Sequence, residues 1–144
     1  MPRTAIKHEI AIRADAKNVH DALTTRQGLL GWNTNHVSGE GTVGSEWILS
    51  YPGRCEFAWR VDRIDDLRVN WTCKRGPGDS VGTTVEYTLR QAEGDRTRVF
   101  LTHGGWPHTE GNFTKCNTLW GGLLHHLKDF VESGKAAPLR IVKS

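Results

Sequence analysis

The first part of the chain contains one run of alternating residues followed by two runs at helical spacing. Residues 4–13 alternate between apolar and polar side chains, which predicts a half-buried strand. The face of this strand that points inward is expected to carry Ile6, His8, Ile10 and Ile12. Asp15 then occupies an N-cap position for a short helix. A second helical turn covers residues 26–32, and Gly28 and Gly31 are expected to keep it short.

From residue 37 to residue 103 the chain alternates between short strands and turns. Residues typical of turns, such as Pro52-Gly53, Asp65-Asp66 and the segments 75–79 and 93–95, separate the strands. The inner faces are expected to carry Trp47, Leu49, Tyr51, Cys55, Phe57, Trp59, Val61, Leu67, Val69, Trp71, Cys73, Val81, Thr83, Val85, Tyr87, Leu89, Thr97, Val99, Leu101 and His103. Each strand has one apolar face, which is typical of an antiparallel meander packed on one side only.

The longest helix is expected near the end of the chain, after a loop over residues 104–111. Its apolar residues recur at steps of three and four: Phe113, Cys116, Trp120, Leu123, Leu124, Leu127, Phe130 and Val131. They form a stripe about 140° wide, with Gly121 and Gly122 expected on the outer side. Ser133-Gly134 ends the helix. Residues 1–134 are therefore expected to form one domain, and residues 135–144 a short basic tail outside the core.

Composition limits the classes of function. The chain has 144 residues and a net charge of +3, from 19 Lys and Arg against 16 Asp and Glu, which is too mild and scattered for a nucleic-acid surface. No segment approaches the roughly 18 apolar residues that span a bilayer, and the N-terminus lacks the apolar core of a signal peptide. Three cysteines without a C-x-x-C spacing favour reduced thiols and a cytoplasmic location.

Motifs for catalysis, cofactors and metals are weak or absent in the sequence. Residues 39–44 fit G-x-G-x-x-G, but the alternation that follows predicts a strand rather than the helix a dinucleotide site needs. His125 and His126 are neighbours on a helix and point about 100° apart, so they cannot ligate one ion together. No G-x-S-x-G nucleophile motif occurs. We therefore predict no catalytic residue, no metal and no cofactor.

The strongest functional signal is a set of aromatic and polar residues expected around one interior space. Six tryptophans in 144 residues are unusual, and several are predicted to face inward together with polar side chains. The predicted ligand-binding residues are His8, Trp47, Trp59, Trp71, Tyr87, His103, Trp106, Asn117, Trp120 and Leu124. Trp106 is expected on a loop at the mouth of a cavity of a few hundred Å³, the usual size for small ligands. The alternative is that these side chains fill the core and leave no room.

Three motifs in order along the chain resemble those of START-like (SRPBCC) domains, most closely the C-terminal domain of the activator of heat-shock protein 90 ATPase. The motifs are Ile10-Ala11-Ile12-Arg13-Ala14 with Val19, Ala22-Leu23-Thr24, Leu29, Leu30 and Trp32; Thr97 to Trp106; and Trp120-Gly121-Gly122-Leu123-Leu124 to Gly134. The resemblance implies an α+β helix-grip fold, in which a curved antiparallel sheet wraps around a long C-terminal helix. It also implies that two short helices follow the first strand.

Three classes of function remain open at this point. The first is a non-catalytic binder of a small hydrophobic or aromatic molecule, held between the sheet and the C-terminal helix. The second is a protein-partner module, such as a co-chaperone that activates the chaperone ATPase, and it should expose an apolar patch on the outer sheet face. The third is an enzyme resembling a cyclase or hydrolase, with at least two polar groups within hydrogen-bonding distance in the cavity. A homodimer is a further hypothesis, whereas nucleic acid and membranes are not expected partners.

Overall fold

The structure is a computed structural model that describes residues 4–53 and 55–136. In these ranges the elements are β1 (Thr4–Ile12), α1 (Ala16–Thr24), α2 (Arg26–Trp32), β2 (Val37–Ser38), β3 (Glu46–Tyr51), β4 (Cys55–Asp65), β5 (Arg68–Arg75), a short 3-10 turn (Gly78–Ser80), β6 (Thr84–Ala92), β7 (Arg96–Trp106) and α3 (Asn112–Ser133). Most of the tail expected over residues 135–144 lies outside the described residues.

The strands of the described chain form one antiparallel sheet in the order β1-β7-β6-β5-β4-β3-β2. From β2 to β7 the strands follow the order of the chain, as expected for a meander. The first strand closes the sheet beside the last, with Ile6 opposite His103 and Ile10 opposite Val99. The curved sheet packs around α3, and the two short helices follow β1. The predicted helix-grip fold is confirmed.

The helices begin and end where local hydrogen bonds favour it. The Asp15 carboxylate accepts a hydrogen bond of 2.9 Å from the backbone N–H of Asn18 at the start of α1. The Thr25 hydroxyl does the same for the N–H of Gly28 at the start of α2, also at 2.9 Å. Gly134 ends α3 in a left-handed conformation with φ of 73°, which glycine adopts without steric cost.

The apolar stripe of α3 supplies the helical half of the core. Its fully buried members are Cys116, Trp120, Leu123, Leu124 and Leu127. They pack against the inner face of the sheet, to which β1 contributes the buried Ile6 and Ile12 and the other long strands contribute alternate buried residues. Each fully buried leucine contributes roughly 1.5–3 kcal/mol relative to an exposed one. The wide stripe is therefore explained by a helix that is enclosed by a curved sheet.

Three details of the predicted elements are wrong. Strand β7 continues through Gly104 and Gly105 to Trp106, because Thr4 of β1 pairs with Trp106 and extends the ladder where a loop was expected. Leu67 and Val81 were expected on inner faces, but each lies in a turn beside a strand. Leu67 is 48% exposed and Val81 is 52% exposed. In all three places a single strand pattern could not show where its neighbour stops pairing.

The glycines of the helices have roles that differ from those expected. A Cβ atom on Gly28 would lie 2.6 Å from the Ala22 carbonyl oxygen, so this glycine lets α1 and α2 touch. A Cβ atom on Gly31 would lie 2.3 Å from the Phe130 ring, which fixes α2 against α3. Gly121 is half-buried rather than outward-facing, and its Cβ atom would come within 4.0 Å of His8 on β1. Only this last site has room for a methyl group.

The surroundings of Gly28 and Gly121 therefore predict opposite effects of substitution by alanine. Gly28→Ala should destabilise the protein by about 1–3 kcal/mol, because the new methyl group overlaps the backbone of α1. Gly121→Ala should stabilise it by about 0.4–1 kcal/mol, because alanine loses less backbone entropy in a helix and meets only an ordinary contact. Urea unfolding of both variants beside the parent chain measures the difference. Equal effects would contradict the close packing of α1 on α2.

Candidate functional site

A continuous series of aromatic rings crosses the inner face of the sheet. Phe57 stacks on Trp59 at a centroid distance of 5.5 Å, and Trp59 contacts Trp71 at 5.9 Å. Tyr87 then meets the edge of Trp71 at 5.2 Å and that of Trp120, from α3, at 6.0 Å. Alternation along β4, β5 and β6 aligns these rings, since residues two apart point to the same face. The interior between sheet and helix is therefore predominantly aromatic.

His103 lies at the centre of a buried hydrogen-bond network. The Trp120 indole N–H donates to Nδ1 of His103 at 3.0 Å. Nε2 of His103 lies 2.8 Å from the Thr83 hydroxyl, which itself donates to the Ser80 carbonyl oxygen at 2.6 Å. Because an indole can only donate and the Thr83 proton is already used, the imidazole carries its proton on Nε2. Both ring nitrogens are thus occupied in the neutral form.

Burial and this network hold His103 in its neutral form. The side chain is 1% exposed. Burial lowers the pKa of His103 from 6.5 to about 4. A proton added at Nδ1 would also displace the bond from Trp120. His103 therefore connects α3 and β7 to the segment that precedes β6, and it has no free lone pair with which to accept a substrate proton.

The enclosed space at the centre of this aromatic set is small. Trp59, Trp71, His103 and Trp120 contribute to a cavity of about 20 Å³. A volume of this size holds roughly one water molecule. The expectation of an interior cavity of a few hundred Å³ is therefore wrong, because the indole rings pack against one another and fill the space.

A volume of the expected size lies beside this cavity instead. An open groove of about 420 Å³ runs between the β3–β4 turn, the loop before the 3-10 turn and the first turns of α3. We call it the entrance groove, and its walls include Phe57, Pro77, Asn112, Lys115, Cys116 and Leu119. Phe57, Cys116 and Leu119 line both the groove and the inner cavity. These three side chains form the partition between them.

The partition and the groove rim differ in polarity. Burial raises the pKa of the Cys116 thiol to about 12, so Cys116 behaves as a small apolar residue. Lys115 contributes the charged group among the described residues that line the groove. The Asn112 amide is held in place by hydrogen bonds to the Pro77 carbonyl oxygen at 3.2 Å and to Asp79 at 3.0 Å. The groove therefore has an apolar floor and a polar rim.

Several buried polar atoms near the inner cavity have no hydrogen-bond partner within residues 4–53 and 55–136. They include the indole nitrogens of Trp71 and Trp106 and the hydroxyl of Tyr87. By contrast, the indole of Trp32 donates to the Ala22 carbonyl oxygen at 2.8 Å and that of Trp120 to His103. A buried donor left without an acceptor costs about 1–3 kcal/mol. Such groups are rare in folded proteins.

The predicted site residues divide into interior and peripheral groups. Trp59, Trp71, His103 and Trp120 line the inner cavity, and Tyr87 lies directly behind Trp71 and Trp120. Trp47 and Leu124 are also buried in the core, although they line neither the cavity nor the groove.

The remaining three predicted residues lie away from the expected positions. Trp106 is fully buried at the end of β7 against His103 and Phe113, so its expected place on a loop at the mouth is wrong. Asn117 is exposed on α3, and its side-chain oxygen lies 2.8 Å from Nε2 of the half-buried His8 on β1. This pair joins the helix to the edge of the sheet outside the cavity.

The sequence placed Phe57 and Cys116 on inner faces but did not identify the other groove residues. Leu119 lies three residues after Cys116 and four before Leu123, so helical spacing could have indicated it. Lys115 lies outside the apolar stripe of α3 and is exposed, which is compatible with a place on the rim. Pro77 and Asn112 come from a loop and a helix start, and no periodic signal shows that such segments meet.

Metal-binding clusters and membrane-spanning helices are both absent from the described part of the chain. No cluster of three or more His, Cys, Asp or Glu side chains there has an arrangement that could hold a metal ion. None of the described helices is both long and apolar enough to cross a membrane. The cytoplasmic location stays a prediction.

A curved antiparallel sheet around a long C-terminal helix, with two short helices after the first strand, defines a START-like protein of the helix-grip class. The model of the family described as Activator of Hsp90 ATPase homolog 1-like protein matches residues 13–132, and the chain belongs to this family. Among curated proteins no significant match was found.

Solved structures agree with this assignment. The solution structure of the Aha1 dimer from Colwellia psychrerythraea is 34% identical, with a TM-score of 0.83 over 92% of this chain and 98% of that one. DynU16, described as a putative protein in the dynemicin biosynthetic locus, is 19% identical, with a TM-score of 0.77 over 92% of this chain and 48% of its own. MLL2253 from Mesorhizobium loti is 15% identical, with a TM-score of 0.77 over 89% and 96%. The last two show a shared fold alone.

The low pKa of His103 predicts a specific loss of stability in acid. Between pH 6.5 and about 4 the unfolded chain holds a proton on this residue that the folded chain does not. The free energy of unfolding should therefore be unaffected by His103 above pH 6.5 and fall by up to about 3 kcal/mol on acidification through this window. His103→Asn, measured by urea unfolding at several pH values, should have a shallower pH dependence than the parent chain. His125→Asn, at an exposed position on α3, should keep the parental slope.

Proposed function

We propose that the protein binds a small hydrophobic or aromatic molecule without catalysing a reaction on it. The observation that carries this proposal is the entrance groove, whose floor is shared with the aromatic inner cavity through Phe57, Cys116 and Leu119. Its volume of about 420 Å³ falls in the range of small-molecule sites. A ligand in the groove would rest on apolar side chains and reach the aromatic interior by displacing the partition.

Catalysis by the same site has less support. A cyclase-like or hydrolase-like enzyme needs a polar group that can exchange a proton with its substrate. His103 is the histidine of the inner cavity, and both of its ring nitrogens are used by Trp120 and Thr83. The Tyr51 hydroxyl, also at the cavity, donates to the Asn33 side chain, and burial raises its pKa. These groups favour a binding role.

A protein-partner role, such as that of a co-chaperone, was expected to show an exposed apolar patch on the outer sheet face. The outer positions carry ion pairs instead, for example Arg98 with Glu9 at 3.0 Å between β7 and β1. The large exposed apolar residues of the described chain, Val43, Leu67 and Val81, lie in turns. This arrangement favours the groove as the functional feature, although family membership keeps the co-chaperone role as the alternative.

Blocking the groove from α3 tests the binding proposal. Isothermal titration calorimetry with octanoate, laurate, 1-naphthoate and 1-indanone should detect saturable binding of at least one compound by the parent chain. Leu119→Trp fills the groove, so it should weaken that binding by roughly tenfold or more. Thr118→Trp places the same ring on an exposed neighbouring position of α3 and should leave the binding unchanged. Absence of binding to the whole panel, or equal binding by Leu119→Trp, would overturn the proposal.

We also propose that the chain forms a homodimer. The support is the Colwellia protein, whose solution structure is that of a dimer and which resembles this chain over nearly the full length of both. Most cyclic assemblies of soluble proteins are symmetric dimers, so a second copy would use the same surface on both subunits. Sedimentation velocity over a range of micromolar concentrations should show a dimer of the 16.1 kDa chain. A monomer at every concentration would contradict it.

A further inference from the structure

The entrance groove carries a positive charge that the described chain does not balance. Among the described residues that line the groove, Lys115 has the charged side chain, and it is exposed. No carboxylate of the described chain forms an ion pair with its ammonium group. Elsewhere on the surface such pairs form, as between Lys128 and Glu132 on α3 and between Arg98 and Glu9 on the sheet. Lys115 is therefore a cation without an internal counterion at the rim of an apolar groove.

The start of α3 contributes an electric field of the same sign. The N-terminus of a long helix carries a partial positive charge, which acts over its first turn. Asn112 and Lys115 belong to that turn and line the groove. The turn contains no acidic side chain, and Gly111 at the N-cap provides no side-chain hydrogen bond. The field of the helix therefore adds to the charge of Lys115 on this side of the groove.

The acidic side chain that contacts this turn, Asp79, is engaged by other groups. It accepts a hydrogen bond of 3.0 Å from the Asn112 amide and lies 3.3 Å from Nε2 of His108. Asp79 does not line the groove. The Asn112 amide also donates to the Pro77 carbonyl oxygen at 3.2 Å, so both of its protons are used. Lys115 is thus left as the charged donor that a ligand in the groove would meet.

We propose that the entrance groove binds an apolar organic acid, ionised as a monoanion at neutral pH, with its anionic group on Lys115. This inference rests on the proposed binding function and adds the chemical class of the ligand. The apolar body would lie on the floor formed by Phe57, Cys116 and Leu119. One ammonium group balances one negative charge, as a carboxylate supplies.

The exposure of the rim sets the size of the expected preference. A carboxylate at an exposed rim keeps part of its hydration, so it avoids the large cost of burying a charge. For the same reason water and salt weaken its attraction to Lys115, and an exposed ion pair contributes only a few-fold in affinity. An organic cation of the same shape would be repelled by Lys115 and by the helix start. We therefore expect the acid to bind best, the neutral analogue less well and the cation least well.

Matched ligands that differ only in their polar group test this order. 1-Naphthoate, 1-naphthamide and 1-naphthylmethylammonium share one bicyclic body, and octanoate with octanamide gives a second pair. In calorimetric titrations at neutral pH and low salt, each acid should bind roughly three- to tenfold more tightly than its amide. Raising the NaCl concentration from about 20 mM to about 500 mM should remove most of this difference, because it shortens the distance over which charges interact.

Three variants assign the preference to one side chain. Lys115→Gln should abolish the preference for the acid while leaving amide binding within about twofold, whereas Lys115→Arg should retain the preference. Lys17→Gln changes the net charge by the same amount at an exposed position of α1 that does not line the groove, and it should behave as the parent chain does. Each variant is titrated with every acid of the binding panel that the parent chain binds.

The outcomes separate this inference from the binding function itself. Equal binding of acid and amide, or binding of 1-indanone but of no acid, would overturn the acid class and leave the binding function intact. A preference that survives in Lys115→Gln, or that is lost equally in Lys17→Gln, would also overturn it, because the net charge rather than the groove would then be responsible. If no member of the panel and no amide binds, the binding function and this inference both fail.

Discussion

The hydrogen bond from the Trp120 indole to His103 fixes the C-terminal helix on the sheet. Apolar packing alone is not directional, and a helix stripe could rotate or slide over a curved surface of large rings. A buried donor and acceptor that would otherwise be unsatisfied allow only one position. Because His103 also contacts Thr83, the same side chain orients the chain that follows the 3-10 turn. The helix α3, strand β7, the 3-10 turn and the segment before β6 therefore share one network.

The geometry of the groove follows from this anchor. With Trp120 fixed, Cys116 one turn earlier and the adjacent Leu119 are positioned together with Phe57 where the inner cavity and the groove adjoin. The rings behind them leave space for little more than one oxygen atom. The interior is therefore filled mainly by aromatic rings, whereas the groove provides the larger open volume.

The sequence predicted the fold well because its signals are local. The Asp15 cap, the alternation in β4 to β6 and the apolar stripe of α3 each depend on neighbouring residues, and all three were confirmed. The errors arose where pairing between distant segments decides the outcome. Gly104 and Gly105 belong to a strand because β1 lies beside them, and Leu67 is exposed because its hairpin has already begun to turn.

The candidate site shows the same division. Alternation and helical spacing were sufficient to place Trp59, Trp71, Tyr87 and Trp120 in one interior, since each periodicity fixes which face a side chain occupies. They could not reveal whether the rings leave a void, because that depends on their rotamers and on how closely α3 approaches. Nor could they bring Pro77 and Asn112 together, because loops have no period. The sequence by itself determined which residues face inward, while the tertiary structure alone decided the size of the cavity, the place of the groove and the donors left without partners.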